Sequence, residues 1–140
     1  MRVIFVILTL CRFSYAVEYD YEKIMNQYQY MSISKAMSTW SVSAAELKKI
    51  SASNFKNLTS EKEKTQYLIY LFQNKKFIGE KRNSVIAILG EPTSYFFSEQ
   101  NATYNLLKLD QNQWVVSFEV SSDQIVRSIK IAKKCCYEVK

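Results

Sequence analysis

Histidine is missing from the 140 residues, and the chain holds only two glycines, one proline and three cysteines. Without an imidazole, Ser-His-Asp and Cys-His catalysis, a histidine general base and histidine-ligated zinc all fall away. Two glycines leave no room for a Gly-rich phosphate loop, and one proline makes no proline-rich recruitment segment. Internal repeats, linkers and low-complexity tracts are also lacking. What is present is ordinary for a folded protein: 48% hydrophobic and 23% charged residues, with 19 Lys+Arg against 13 Asp+Glu and a formal charge of +6. That length and balance fit one domain with a real core.

The N-terminus reads as a targeting segment. Met1-Arg2 is a minimal positive region, Val3 to Leu10 is apolar apart from Thr9, and Ser14-Tyr15-Ala16 places small residues at −3 and −1 of a cut after Ala16. The apolar run is about half of the ~20 residues that span a bilayer, and Arg12 closes it. A signal peptide over residues 1–16 is therefore expected, ahead of a membrane anchor or a buried strand. Cys11 raises lipidation, but Leu10 stands where a lipoprotein needs a small residue. Residues 17–140 would then form a single domain with no transmembrane segment, in a periplasmic or secreted setting. Loss of Arg2 and Arg12 lowers the formal charge from +6 to +4.

Along that domain, Ile24, Tyr28 and Met31 share one helical face, which predicts an amphipathic N-terminal helix or extension. Ser43-Ala44-Ala45-Glu46 is a capping-box pattern before Leu47 and Ile50. Ser60 to Glu63 repeats it before a helix over 61–74, with Tyr67, Leu68, Ile69, Leu71 and Phe72 widening an apolar stripe. Val85, Ile86, Ile88 and Leu89 predict a short apolar helix that Gly90 and Pro92 end, Gly90 in the left-handed C′ position.

From Tyr95 the period changes to two. Strands are expected over Tyr104–Leu109, Trp114–Val120 and Ile125–Ala132, separated by Asp110-Gln111-Asn112-Gln113 and Ser121-Ser122-Asp123-Gln124. Trp114, Val116, Phe118 and Val120 take one face, while Ser128 and Lys130 alternate with Ile129 and Ile131 and predict a wet second face. Helices followed by a meander give an α+β fold: two or three N-terminal helices packed on a three-stranded antiparallel sheet.

The stretch Phe77-Ile78-Gly79, Val85-Ile86, Leu89-Gly90-Glu91-Pro92, Tyr104-Asn105-Leu106, Trp114-Val115-Val116 and Phe118 resembles the ααβββ domain of the SmpA/OmlA (BamE-like) family over residues 77–131. Glu80-Lys81 departs from it by replacing the small polar residue after the first glycine, which weakens the expected helix cap. The second departure is the lack of a good lipobox, which speaks against a direct role in outer-membrane protein assembly. The resemblance implies a non-catalytic protein-binding module of the bacterial cell envelope. It equally implies an alternative: an inhibitor or immunity protein that neutralises a secreted or periplasmic enzyme.

Chemistry-bearing motifs are few. Ser32-Ile33-Ser34-Lys35 spells Ser-x-x-Lys, but the companion motifs of penicillin-recognising enzymes are absent, so it reads as a helix face or loop. Scattered carboxylates nominate no acid/base pair; Asp110 and Asp123 fall where turns want them. No cofactor and no metal is expected. Asn57-Leu58-Thr59 and Asn101-Ala102-Thr103 spell the glycosylation sequon. Cys135-Cys136 leaves three readings open: one buried and one exposed thiol with dimerisation through the latter, a disulfide between the neighbours, or metal binding. Arg127, Lys130, Lys133 and Lys134 form a basic C-terminal end, read either as protection of a strand edge or as a surface for an acidic protein or anionic headgroups. Nucleic acid does not fit so modest a charge in an exported protein.

Overall fold

The computed structural model describes residues 30–96 and 98–134; residues 1–16, Ile24, Tyr28, Cys135 and Cys136 lie outside them. The fold is α+β, with four α-helices and an antiparallel sheet among the described residues. In chain order the elements are β1 (Tyr30–Met31), α1 (Ile33–Thr39), α2 (Ala44–Ile50), a 3-10 turn (Phe55–Asn57), α3 (Glu61–Gln73), α4 (Arg82–Leu89), β2 (Ser94–Phe96), β3 (Ser98–Asn105), β4 (Gln113–Val120) and β5 (Val126–Lys134). Strands β2 to β5 form a four-strand meander, and β1 adds itself beside β5. The three expected strands thus gain a short strand on each edge.

Helix starts are written in side-chain oxygens. The Ser32 Oγ accepts from Lys35 N at 3.3 Å, so the Ser-x-x-Lys tetrapeptide is a helix cap. Ser43 and Glu46 make a complete capping box, with Ser43 Oγ accepting from Glu46 N at 3.1 Å and Glu46 Oε2 from Ser43 N at 3.0 Å. Ser43→Ala is expected to cost about 1 kcal/mol, read as a shift of the urea midpoint at unchanged slope. Ser60 caps α3 from Glu63 N. Among the described α-helices only α4 lacks a side-chain cap; Lys81 stands at its start and pairs in a β-bridge with Ile125 instead.

Met31 lies in a strand, because β1 pairs it with Ile131 and the helix starts only after Ser32. The predicted helical face through Met31 is therefore broken there. Helix α3 is buried over the consecutive run Thr65 to Ile69, which no helix open to water on one side could show. It packs against α1 and α2 on one side and against β4 and β5 on the other.

Helix α4 is more exposed than its composition suggests. Val85 and Leu89 are buried, but Ile88 is 43% exposed. Gly90 ends α4 at φ 81° and ψ −170°, an extended mirror-image conformation open in practice only to glycine, in place of the expected left-handed turn. The Tyr104 hydroxyl donates to its carbonyl at 2.8 Å. Burial raises the Tyr104 pKa, so the phenol stays protonated and keeps donating.

Strand β3 stops at Asn105, four residues short of the predicted end at Leu109. The chain turns away because the helices capture it: Leu107 N donates to Thr65 Oγ1 at 2.7 Å, and Trp40 Nε1 donates to Leu107 O at 2.9 Å. Gln113 Nε2 then bonds Leu106 O at 2.7 Å and Trp114 O at 2.8 Å, holding the returning strand. At the centre of the core Phe118 is fully buried, with Phe77 and Tyr104 edge-on at centroid distances of 6.0 and 5.9 Å.

Candidate functional site on the second face of the sheet

Strand register sorts the side chains into two faces. Met31, Ile131, Val116 and Tyr104 form one row towards the core; Tyr30, Ala132, Val115 and Asn105 form the next row on the opposite face. Beside the latter run Lys130, Ser117 and Thr103, then Ser128 and Glu119.

This second face is only partly wet, which corrects the alternation-based expectation. Thr103, Val115, Ser117 and Ala132 are all buried on it. Small and β-branched residues lie low between long neighbours, so period-two polarity alone overstated its contact with water. Among them the Ser117 Oγ is buried with no hydrogen-bond partner. Removing such a group relieves a desolvation penalty, so Ser117→Ala is expected to be neutral or to stabilise by up to about 1 kcal/mol. A melting temperature clearly below wild type would count against this.

The exposed part of the face is an ordered polar cluster. Glu119 Oε2 accepts from Ser128 Oγ at 2.7 Å and pairs with Lys130 Nζ at 3.3 Å. The same ammonium sits 4.9 Å from the centre of the Tyr30 ring. Tyr30 is 45% exposed. The sequence offers Tyr30 only as part of a Tyr/Met-rich N-terminal segment, a second candidate contact surface expected as a helix or extension, and not as a ring on the edge of the sheet. The Glu119–Lys130 contact was readable in principle from the hairpin centred on the Ser121–Gln124 turn, which sets Ser117 opposite Lys130 and Glu119 opposite Ser128.

The four predicted cations do not form one patch. Lys130 and Lys134 take the second face, and Lys133 stands opposite Trp114 on the other. Arg127 lies at the far end of β5, where its Nη2 meets Asp123 Oδ2 at 3.0 Å and its Nε donates to Ser121 Oγ at 3.1 Å. The hydrogen bond from Ser121, with smaller help from Ile125 N and Arg127, holds the Asp123 carboxyl below its ordinary pKa. Lys130 and Arg127 are therefore matched by the acids Glu119 and Asp123. The cysteine pair that follows β5 lies outside the described residues.

Other features are accounted for locally. A groove of about 390 Å³ lies between the start of α3 and the end of β3, where Asn105 N donates to Thr93 Oγ1 at 3.0 Å. In the second sequon Asn101 accepts from Val120 N at 3.0 Å and Thr103 is buried, whereas Asn57 and Thr59 of the first are exposed. Among the described residues no group of three or more Cys, Asp or Glu could hold a metal ion. No helix among them is long and apolar enough to cross a membrane.

No family model, curated protein or solved structure matches this chain. The functional reading therefore stands on the residues themselves.

Proposed function

We propose that the chain is an exported, non-catalytic protein-binding module of the bacterial cell envelope, with a domain of the SmpA/OmlA (BamE-like) kind. The observation that carries binding is the exposed Tyr30 ring held against Lys130 beside Glu119 and Ser128. Interface anchors are typically aromatic rings with a polar handle, already fixed in one position so that little side-chain entropy is lost on docking. Here an edge strand fixes the ring and a paired ammonium covers one of its sides. Support for the family part is the order of elements, α3 and α4 followed by a meander in which Leu89-Gly90-Glu91-Pro92 links helix to sheet.

The test is a pull-down from bacterial envelope extract with the full chain, and in parallel with Tyr30→Ala and Lys130→Glu, followed by mass spectrometry. Recovery of envelope proteins by the wild type and several-fold less by both variants supports the proposal. Recovery of one secreted or periplasmic hydrolase instead supports the inhibitor alternative. Equal recovery by all three chains removes this face as the binding surface. The export premise is checked separately: the N-terminus of the purified protein should begin at Val17, and an intact Met1 in the cytoplasm would remove it.

A further inference from the structure

The second face of the sheet is closed more tightly than its own side chains explain. Val115 is 1% exposed, and Thr103, Ser117 and Ala132 are fully buried. All four described helices send buried apolar residues into one core, which Val116, Phe118 and Ile131 share; Val115 and Ala132 stand outside it. Long neighbours shade a small residue. A valine on the central strand of an antiparallel sheet with one open face nevertheless keeps part of its surface in water. A cover therefore lies over the middle of this face, and Ser117 tells its character. Its hydroxyl is buried without a hydrogen-bond partner, so the atoms above it are apolar.

One segment outside the described residues fits that cover. Strand β1 runs antiparallel to β5, with Tyr30 opposite Ala132 and Met31 opposite Ile131. The chain before Tyr30 therefore arrives at the Lys134 end of β5, beside this face. Within residues 17–29, Val17, Tyr21, Ile24, Met25 and Tyr28 follow i, i+4, i+7, i+8, i+11 and predict one apolar helical stripe about 100° wide. Apart from Tyr19 the other positions are polar, and neither glycine nor proline interrupts them. As a helix the segment would be about 20 Å long, and the strands from β5 to β2 span about 14 Å. One helix is enough to cross the face.

Charge points the same way. Glu18, Asp20 and Glu22 lie early in the segment, where a helix favours acids, and only Lys23 opposes them. The face they would meet carries Lys130 and Lys134. The other stretches outside the described residues fit less well: residues 135–140 make fewer than two helical turns, and residues 1–16 are the part expected to be cut off.

We propose that residues 17–29 form an amphipathic helix whose Val17, Tyr21, Ile24, Met25 and Tyr28 stripe packs across Thr103, Val115, Ser117 and Ala132. The sheet is then covered on both faces, by the four helices on one side and by the chain's own N-terminal segment on the other. Tyr30 at 45% and the Lys130 side chain at 41% exposure remain outside the cover. What stays open to a partner is thus the rim beside β1 and not the whole face. The placement does not rest on the proposed function, since the helix covers the face whether or not anything docks beside it.

The test is nuclear magnetic resonance on the full chain with labelled methyl groups. The expected result is nuclear Overhauser cross-peaks from the Ile24 and Met25 methyl groups to those of Val115 and Ala132. In a mixture of labelled and unlabelled chains these should arise within one copy. A soluble paramagnetic chelate should spare Val115 and Ala132 as well as it spares Val116 in the core. With Ile24→Asp its effect on Val115 and Ala132 should grow several-fold, while Val116 and Leu68 stay unchanged and report an intact fold. Should that variant fail to fold, the wild-type cross-peaks decide. Cross-peaks to Val115 and Ala132 from residues 3–10 or 135–140 instead, or only between copies, overturn the assignment to residues 17–29. Undiminished protection in a folded Ile24→Asp chain does the same. A chelate that reaches Val115 and Ala132 in the wild type as readily as the exposed Ile88 overturns the cover itself.

Discussion

Phe118→Ala is expected to lower stability by about 3–5 kcal/mol, the cost of emptying an aromatic-sized site that its surroundings refill only in part. Phe118 is fully buried and stands between two rings that meet it edge-on, Phe77 and Tyr104. Neither can follow it freely: Tyr104 is tied by its hydroxyl to Gly90 O, and Phe77 sits in a turn at φ 72°. A domain of this size has a total stability of about 5–15 kcal/mol, so the variant loses a large share of it. The urea midpoint should fall by roughly 2 M at a slope of 1–3 kcal/mol/M. Phe118→Leu, which keeps most of the volume, should cost under about 1.5 kcal/mol. A drop for alanine below about 1 kcal/mol would show that the core closes around the gap and that this packing does not govern the fold.

The second large effect comes from one hydroxyl. Thr65→Val keeps the shape of a side chain that is 2% exposed, but it strips the partner from Leu107 N, bonded at 2.7 Å. A half-buried amide left without an acceptor costs about 1–3 kcal/mol, more than the methyl group returns. The expected signature is local as well as global: a lower urea midpoint and amide exchange at Leu107 faster than the global loss alone produces. Valine without either change would mean that water takes over the bond. Thr65→Ser, which keeps the oxygen, should recover most of the exchange protection.

Both sites show how far the sequence could be read. The capping patterns at Ser43 and Ser60 and the strand alternation from Trp114 to Val120 act over a few residues, and they placed α2, α3 and β4 correctly. The end of β3 is set by Thr65 and Trp40, partners 42 and 67 residues away, and no local pattern carries that. The short edge strands are likewise made by pairing: two residues do not show a period, and Tyr30–Met31 is a strand only because β5 is beside it. For the surface, the sequence located positive charge in β5, and Glu119 and Asp123 answer Lys130 and Arg127 once the Ser121–Gln124 turn sets the hairpin between them.

The pairing of Tyr30 with Ala132 joins the two ends of the described chain. A chain that emerges from its N-terminus, whether from a ribosome or through a membrane channel, holds β1 long before β5, the strand that pairs with it, arrives. Helices can form early on their own caps, but the sheet edge stays open until the last strand is delivered. Closure of that edge is therefore a late, whole-length event. Until it happens Tyr30 and Lys130 do not meet, and the surface proposed for binding does not exist on the unfinished protein.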